Sequence, residues 1–396
     1  MFKISTCIIY ICILYLQMVR GDLRLLVIGG EASYSRMGLK MIISDVELLD
    51  PFDKDSNCIS PPKLPFPRKC FVSESLDERP FIAGGGNTGV MYDTSLVLIN
   101  NTWIDTPIRL NHSRYCAISS QPKPKTMLVL GGDYRGVHTG MTSEILRDFV
   151  IETTKSTNTS RTAFRDIANA PMDIKYSRTS RKCTAKINDT HLFITGYQNN
   201  LTYIVDISVQ PYTFTKLPKM KFGSHNGGAC ATITDSLGDT RLFVAGGGNA
   251  QIHNLNLSLM VKTEFFDIFT NNWIEGPDLP RMFYMGGYVE YPDERGFVLI
   301  GGEDLTNFGR KSKYFSDLMQ YNQTTNNFDY LPKRLNIARS RFGALLVNTS
   351  SENCTIVSKI TTTSHANLNV LPDFVNMTML SWFIVFLTMS LNIRSM

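Results

Sequence analysis

Several things that commonly decide function are scarce in this chain. Charged residues are only 19% of the 396, no run of lysine or arginine occurs, and the formal charge is a mild +5. That balance argues against a nucleic-acid-binding protein, while 43% hydrophobic residues argue against a disordered one. Neither a G-x-S-x-G elbow nor an H-E-x-x-H motif is present. The six histidines (His112, His138, His191, His225, His253 and His365) never stand close together in sequence. Glycine triplets do occur, in FIAGGGN at Phe81–Asn87 and FVAGGGN at Phe243–Asn249. A phosphate cradle would need a helix directly after them. The segments next in the chain, TGVMYDTSLVLI and AQIHNLNLSL, lack helical periodicity and the Lys-Ser/Thr of a P-loop. No catalytic residue, metal ligand set or cofactor is therefore expected, and no nucleic-acid partner.

Both chain ends carry apolar stretches. Lys3 followed by CIIYICILYL and then Val19 and Gly21 reads as a secretory signal over residues 1–21. Ten N-x-[ST] sequons support secretion independently, at Asn100, Asn111, Asn158, Asn188, Asn200, Asn256, Asn322, Asn348, Asn353 and Asn376. The C-terminal run MLSWFIVFLTMSLNI is shorter than the ~20 apolar residues that span a bilayer and is diluted by Ser381, Thr388, Ser390 and Asn392. It reads first as the removable tail of a GPI signal, then as a short single-pass helix, then as a buried strand. The expected organisation is a signal over 1–21, a folded body over 22–350, a stalk over 351–376 and a hydrophobic tail over 377–396. The expected location is the cell surface, with simple secretion as the alternative.

The body is a repeat. LLVIGG, PFIAGGG, MLVLGG, LFITG, LFVAGGG and FVLIGG place their first glycines at 29, 84, 131, 196, 246 and 301, in steps of 55, 47, 65, 50 and 55. Glycine pairs close five of these runs: Gly29–Gly30, Gly84–Gly85, Gly131–Gly132, Gly246–Gly247 and Gly301–Gly302; Gly196 stands alone. Downstream, TEFFDIFTNNWIEGPDLP and DLMQYNQTTNNFDYLP share an alternating strand, a Thr/Asn turn, an aromatic and Leu-Pro. Period-2 apolarity and bounding turns make these strands. Each unit predicts four of them: an inner strand, a strand ending in glycine, a third strand, and an outer strand centred on an aromatic. Such a sheet of about 50 residues cannot bury both faces alone, but a radial array of sheets can.

The glycine pairs and the downstream aromatics resemble the kelch repeat over roughly Leu23–Val347. The resemblance implies an all-β, six-bladed propeller, with seven blades as the runner-up. It implies that each glycine pair lets the backbone turn out of the second strand, and that Trp103, Trp273 and Phe328 pack between adjacent sheets. RFGALLV at Arg341–Val347 has no glycine strand after it, and LRLLVIGG has no inner strand before it. The two are expected to complete one blade, leaving no open edge. CTIVSKI, at Cys354–Ile360, reads as an added strand or the start of the stalk.

Cysteines and arginines recur at the inner strands. PRKC, SRYC, SRKC and SRFG place Arg68, Arg114, Arg181 and Arg341 at one equivalent position. Similar arginines in some kelch propellers line a channel mouth and bind acidic peptides, so these four are the candidate anion-binding residues. The alternative is that each arginine satisfies carbonyls of its own blade. Six cysteines remain after the signal, an even count that suggests disulfides. Cys70, Cys116, Cys183 and Cys230 occupy the same offset, at the start of successive inner strands. Neighbouring blades are expected to hold them too far apart to bridge, so they read as small buried side chains. Cys58–Cys70 is the expected pair, because a short proline-rich loop separates the two. The functional expectation is a non-catalytic module binding an extracellular protein or glycan, with membrane contact through the C-terminal tail. The alternative, implied by the resemblance, is a secreted copper-oxidase-like enzyme acting on carbohydrate or alcohol.

Overall fold

Second strands such as Arg79–Ala83 and Phe297–Ile300 are buried at every position, which requires cover on both faces of each sheet. A ring of sheets supplies it. The computed structural model describes residues 22–33, 39–132, 143–147, 149, 164–167, 183–195, 201–209, 211–223, 225–234, 240–248, 260–293, 295–304, 313–350 and 354–356. The expected signal and hydrophobic tail lie outside these, as do Arg181, Gly196, His138, His253 and the sequons at 158, 200, 256, 353 and 376. Among the described residues, no helix is long and apolar enough to cross a membrane.

The ring has six four-stranded antiparallel sheets, so the fold is a six-bladed β-propeller. Blade II runs Val72–Leu76, Arg79–Ala83, Thr94–Ile99 and Thr102–Arg109; blade III runs Ile118–Lys123, Thr126–Leu130, Ser143–Leu146 and Phe164–Ile167. Blade IV is Cys183–Lys186, His191–Thr195, Tyr203–Asp206 and Thr213–Lys216. Blade V is Ala229–Thr234, Thr240–Ala245, Thr263–Asp267 and Asn272–Glu275, and blade VI is Gly287–Glu290, Phe297–Ile300, Asp317–Asn322 and Asn327–Arg334. The first strands touch one another around the axis. Blade I joins both chain ends: Asp22–Ser33 pairs with Lys40–Leu49 on one side and with Gly343–Thr349 on the other, Asp22 opposite Thr349.

The core lies between blades rather than within them. Trp103 packs with Leu26 and Leu48 of blade I, and its indole N–H donates to Pro62 O at 2.9 Å. Trp273 packs with Phe193 and Leu217 of blade IV and donates to Pro218 O at 2.9 Å. Phe328 stacks on Phe243 of blade V, with ring centroids 5.9 Å apart. Each aromatic thus covers the preceding blade, and burying one such ring contributes a few kcal/mol.

The glycine pairs sit where two blades meet. Gly84 and Gly85 have φ of 70° and 76°, and a Cβ on Gly85 would lie 2.6 Å from Lys69 O. No L side chain is tolerated there without strain. In four of the five pairs the second glycine donates to the segment entering the next blade: Gly30 to Arg68 O (2.9 Å), Gly85 to Arg114 O (2.6 Å), Gly247 to Phe283 O (2.7 Å) and Gly302 to Arg339 O (2.9 Å). A second belt runs the other way around the axis. Cys116 N–H donates to Cys70 O, Cys70 to Arg341 O, Arg341 to Met285 O and Met285 to Gly227 O, at 2.8–2.9 Å. All five residues of this belt have positive φ.

Disulfides correct the expected pairing. Cys58 bonds Cys354, Cys70 bonds Cys116 and Cys183 bonds Cys230. The last two join adjacent blades across Cα–Cα distances of 4.3 and 5.5 Å. The expectation that neighbouring blades stand too far apart fails because inner strands converge at the axis. The shared offset also fails. Cys70 and Cys116 precede their strands, whereas Cys183 and Cys230 lie within them. Three bridges fit an oxidising compartment.

Candidate functional site

Strand register fixes which residues are equivalent near the axis. Val72 pairs Ala83 just before Gly84, Ile118 pairs Leu130 before Gly131, and Gly343 pairs Ile28 before Gly29. Counting back four residues gives Arg68, Arg114 and Arg339. Arg341 occupies the position of Cys70 and Cys116 instead. The sequence phrase SRFG therefore points to the wrong arginine.

The true set performs one repeated task inside the blades. Arg68 donates to Gly84 O at 3.1 Å and to Thr94 O at 3.0 Å. Arg114 donates to Gly131 O at 2.5 Å and pairs with Glu144 at 2.6–2.7 Å. Arg339 donates to Gly29 O at 3.1 Å and pairs with Glu47. Blade V uses His225, which contacts Gly246 O at 2.5 Å and Glu264 at 3.1 Å. Blade VI uses Arg281, bonded to Gly301 O at 3.0 Å and paired with Asp317. In each case a basic side chain on the entering segment holds the carbonyl of the first turn glycine, and a carboxylate or threonine holds that side chain. Burial pulls the Arg68 guanidinium down to about 10, and the aromatic face of Tyr92 lies 4.6 Å away. Arg68 and Arg114 are buried, and their donors face blade atoms rather than an open mouth.

Sequence reading missed Arg281, His225 and the four carboxylates. A signal existed for three of the latter: Ser143-Glu144, Thr263-Glu264 and Ser316-Asp317 each stand at the start of an apolar third strand.

Arg341 anchors a different cluster at the axis. It donates to Glu31 at 2.8 Å and grips Glu303 at 2.5 and 3.0 Å. Lys69 pairs with Glu31, and the Tyr314 hydroxyl donates to Glu31 at 2.8 Å. Burial would raise the Glu31 carboxyl, but Arg341 and Lys69 outweigh it and hold it below its ordinary value. Burial likewise opposes the Arg341 charge, yet Glu303 and Glu31 raise it. Blades I, II and VI are thus tied together by two cations and two anions. The positions equivalent to Glu31 and Glu303 in blades II and V are Gly86 and Gly248. Each pairs by main chain with the entering segment, with Lys69 and Asn226 respectively.

Below this cluster the inner strands enclose a cavity of about 410 Å³. Its polar lining is hydroxyl, amide and carboxyl: Ser73, Glu74 and Ser75 from blade II, Gln121 from III, Tyr288 and Glu290 from VI. The Tyr288 hydroxyl crosses to blade IV, accepting from Thr184 N–H and donating to Thr184 O, both at 3.2 Å. Desolvation pushes the Glu74 carboxyl up to about 7, opposed only by a hydrogen bond from Ser119. Glu290 moves the same way for the same reason. Carboxyls that titrate near neutrality favour hydrogen-bond donors and cations over anions. Among the described residues no three of His, Cys, Asp and Glu group as a metal site.

Of the sequons, Asn100, Asn111, Asn188 and Asn348 are exposed and Asn322 is half-buried. No protein-family model matches the chain, and no curated protein matches it. Its fold is similar to the solved structure of YjhT, with a TM-score of 0.57 at 12% identity, covering 79% of this chain and 99% of that one. At that identity the likeness concerns the propeller fold alone.

Proposed function

We propose that this propeller is a non-catalytic extracellular binding module that recognises a protein or glycan through the face carrying its glycine turns. The observation that carries the reading is the difference between the two faces. On one face, apart from segment 147–163 of blade III, first and second strands, or third and fourth, are joined by two to six residues in blades II to VI, with tight turns such as Asp77–Glu78 and Asn100–Asn101. All four of these residues have positive φ, as type I′ hairpins require. On the other face, second and third strands are joined by longer segments: 84–93, 131–142, 196–202, 246–262 and 301–316. Loops held on a rigid scaffold are where binding residues concentrate.

Two further features favour that face. Leu39, Met41, Phe66 and Val90 are exposed apolar residues on segments adjoining the glycine turns of blades I and II. Asp22 and Thr349 are paired at the opposite end of blade I, so the chain enters and leaves the ring on the tight-turn side.

Screening the disulfide-intact secreted protein against cell-surface proteins and a glycan array tests the reading. Saturable binding is expected to be lost in Leu39→Asp/Val90→Asp and kept in Phe269→Asp, whose exposed ring lies in the far-face turn Ile268–Asn271. Binding lost only in the Phe269 variant overturns the choice of face. Copper retained through dialysis, with turnover of a simple sugar or primary alcohol, overturns the non-catalytic reading.

A further inference from the structure

A second cavity, about 590 Å³, opens on the loop face of blade VI. That is within the range of small-molecule sites, roughly 300–1,000 Å³. Its back wall is Arg281, fixed by the carbonyls of Met282 (2.9 Å) and Gly301 (3.0 Å) and by the Asp317 carboxylate. Its floor is the half-buried Phe315 ring, which the Arg281 guanidinium covers at 3.9 Å. These parts are saturated by one another, and they make the site rigid.

The rim is different. Lys313 and Arg334 are exposed and line the opening, and neither pairs with a carboxylate among the described residues. Among the described residues of the lining there is one carboxylate, Asp317, and Arg281 holds it. Beside them Tyr330 shows 52% of its surface, a flat ring on the same outer strand as Arg334. Ser316 adds a half-buried hydroxyl.

We infer that this cavity binds an acidic saccharide, its carboxylate or sulfate held between Lys313 and Arg334 and its ring face laid on Tyr330. The inference rests on the glycan branch of the proposed function and gives it a site and a ligand class. Two cations at the rim of a site whose one carboxylate among the described residues is engaged select an anion, and an arginine fork suits a planar carboxylate. A peptide anchor would look for an apolar hole, and here the buried aromatic is already capped by a guanidinium. The free aromatic surface is a flat, open platform, which suits a pyranose face.

The test uses the full disulfide-bonded protein, with methyl β-D-glucuronide as probe and methyl β-D-glucoside as its neutral counterpart. Binding is read by calorimetry and saturation-transfer NMR. The glucuronide is expected to bind at least tenfold more tightly than the glucoside. It is expected to weaken at least tenfold in Lys313→Ala/Arg334→Ala and several-fold in Tyr330→Ala, with melting curves unchanged because all three side chains are exposed. Equal binding of the two sugars, or unchanged glucuronide binding in the double variant, overturns the inference. Inorganic sulfate binding as tightly as the glucuronide, with Tyr330→Ala silent, reduces the site to a plain anion site and overturns the saccharide. Glycan-array binding that survives the double variant leaves the proposed function standing and removes this site from it.

Discussion

Replacing Glu74 by glutamine isolates the electrostatics of the central channel. In the folded protein desolvation holds this carboxyl up to about 7, against an ordinary value of 4.5. The folded state therefore binds a proton that the unfolded chain has released, and stability falls as pH rises between those two values. The contribution is fully present below about 4.5 and lost once pH passes about 7. A shift of that size corresponds to a ceiling of about 3 kcal/mol at 1.36 kcal/mol per unit, reduced by the channel water that reaches Glu74. Glutamine keeps the shape of the neutral acid and its bond to Ser119, but cannot ionise. Glu74→Gln should match the wild type within about 1 °C at pH 4.0. At pH 8.0 it should melt about 2–6 °C higher, at roughly 2 °C per kcal/mol for a domain of this size. Glu290 titrates in both proteins and cancels in the comparison. Non-reducing thermal melts followed by near-UV circular dichroism at the two pH values provide the measurement. A melting difference that is the same at both pH values, or a less stable variant at pH 8.0, refutes the assignment of Glu74 to a desolvated site.

Two other perturbations probe the ring closure. Arg341→Ala leaves Glu31 and Glu303 buried without their shared cation and should cost about 3–5 kcal/mol at pH 8. With the guanidinium gone, burial pushes the Glu31 carboxyl up, so the deficit should shrink as pH falls towards 5; urea midpoints at both pH values check this. Gly85→Ala forces a Cβ against Lys69 O at 2.6 Å with φ at 76° and should lower stability by at least about 1–3 kcal/mol. Gly89→Ala is the comparison, since φ there is 81° but nothing lies within 4 Å; equal losses in the two variants would show that the interblade contact contributes nothing.

How much of the molecule was legible in its sequence differs by residue. Glycine pairs and outer-strand aromatics were readable because they are local: Gly84–Gly85 and Trp103 do their work at fixed offsets within one unit. The closure of blade I by Arg341–Val347 was readable because an unpaired strand at each end calls for a partner. Positions around the axis were not. The partners Cys70 and Cys116 are 46 residues apart in sequence, and nothing in a sequence gives the radius at which two strands stand. The exchange of Arg339 for Arg341 has a similar origin. The phrases PRKC and SRFG match by eye, but ladder register, which sets the true alignment, depends on where Gly343 meets Ile28. The rim of the blade VI cavity gave no signal either, because Lys313 and Arg334 come from different strands, Lys313–Tyr314 and Asn327–Arg334, that meet in one lining only in the folded chain.

The shared first blade also sets an order of events during synthesis. Leu25, Leu26, Val27 and Ile28 are fully buried, yet the strand that covers their inner edge, Gly343–Thr349, is among the last made. The first strand of the body therefore leaves the ribosome long before its partner exists, and it must wait with an apolar edge uncovered. The Cys58–Cys354 bridge, whose ends are 296 residues apart, can form only after nearly all of the body is made, whereas Cys70–Cys116 needs a span of 46. Release of the chain before residue 349 yields a ring that cannot shut, so the arrival of the final strand is the one late event that separates finished molecules from unfinished ones.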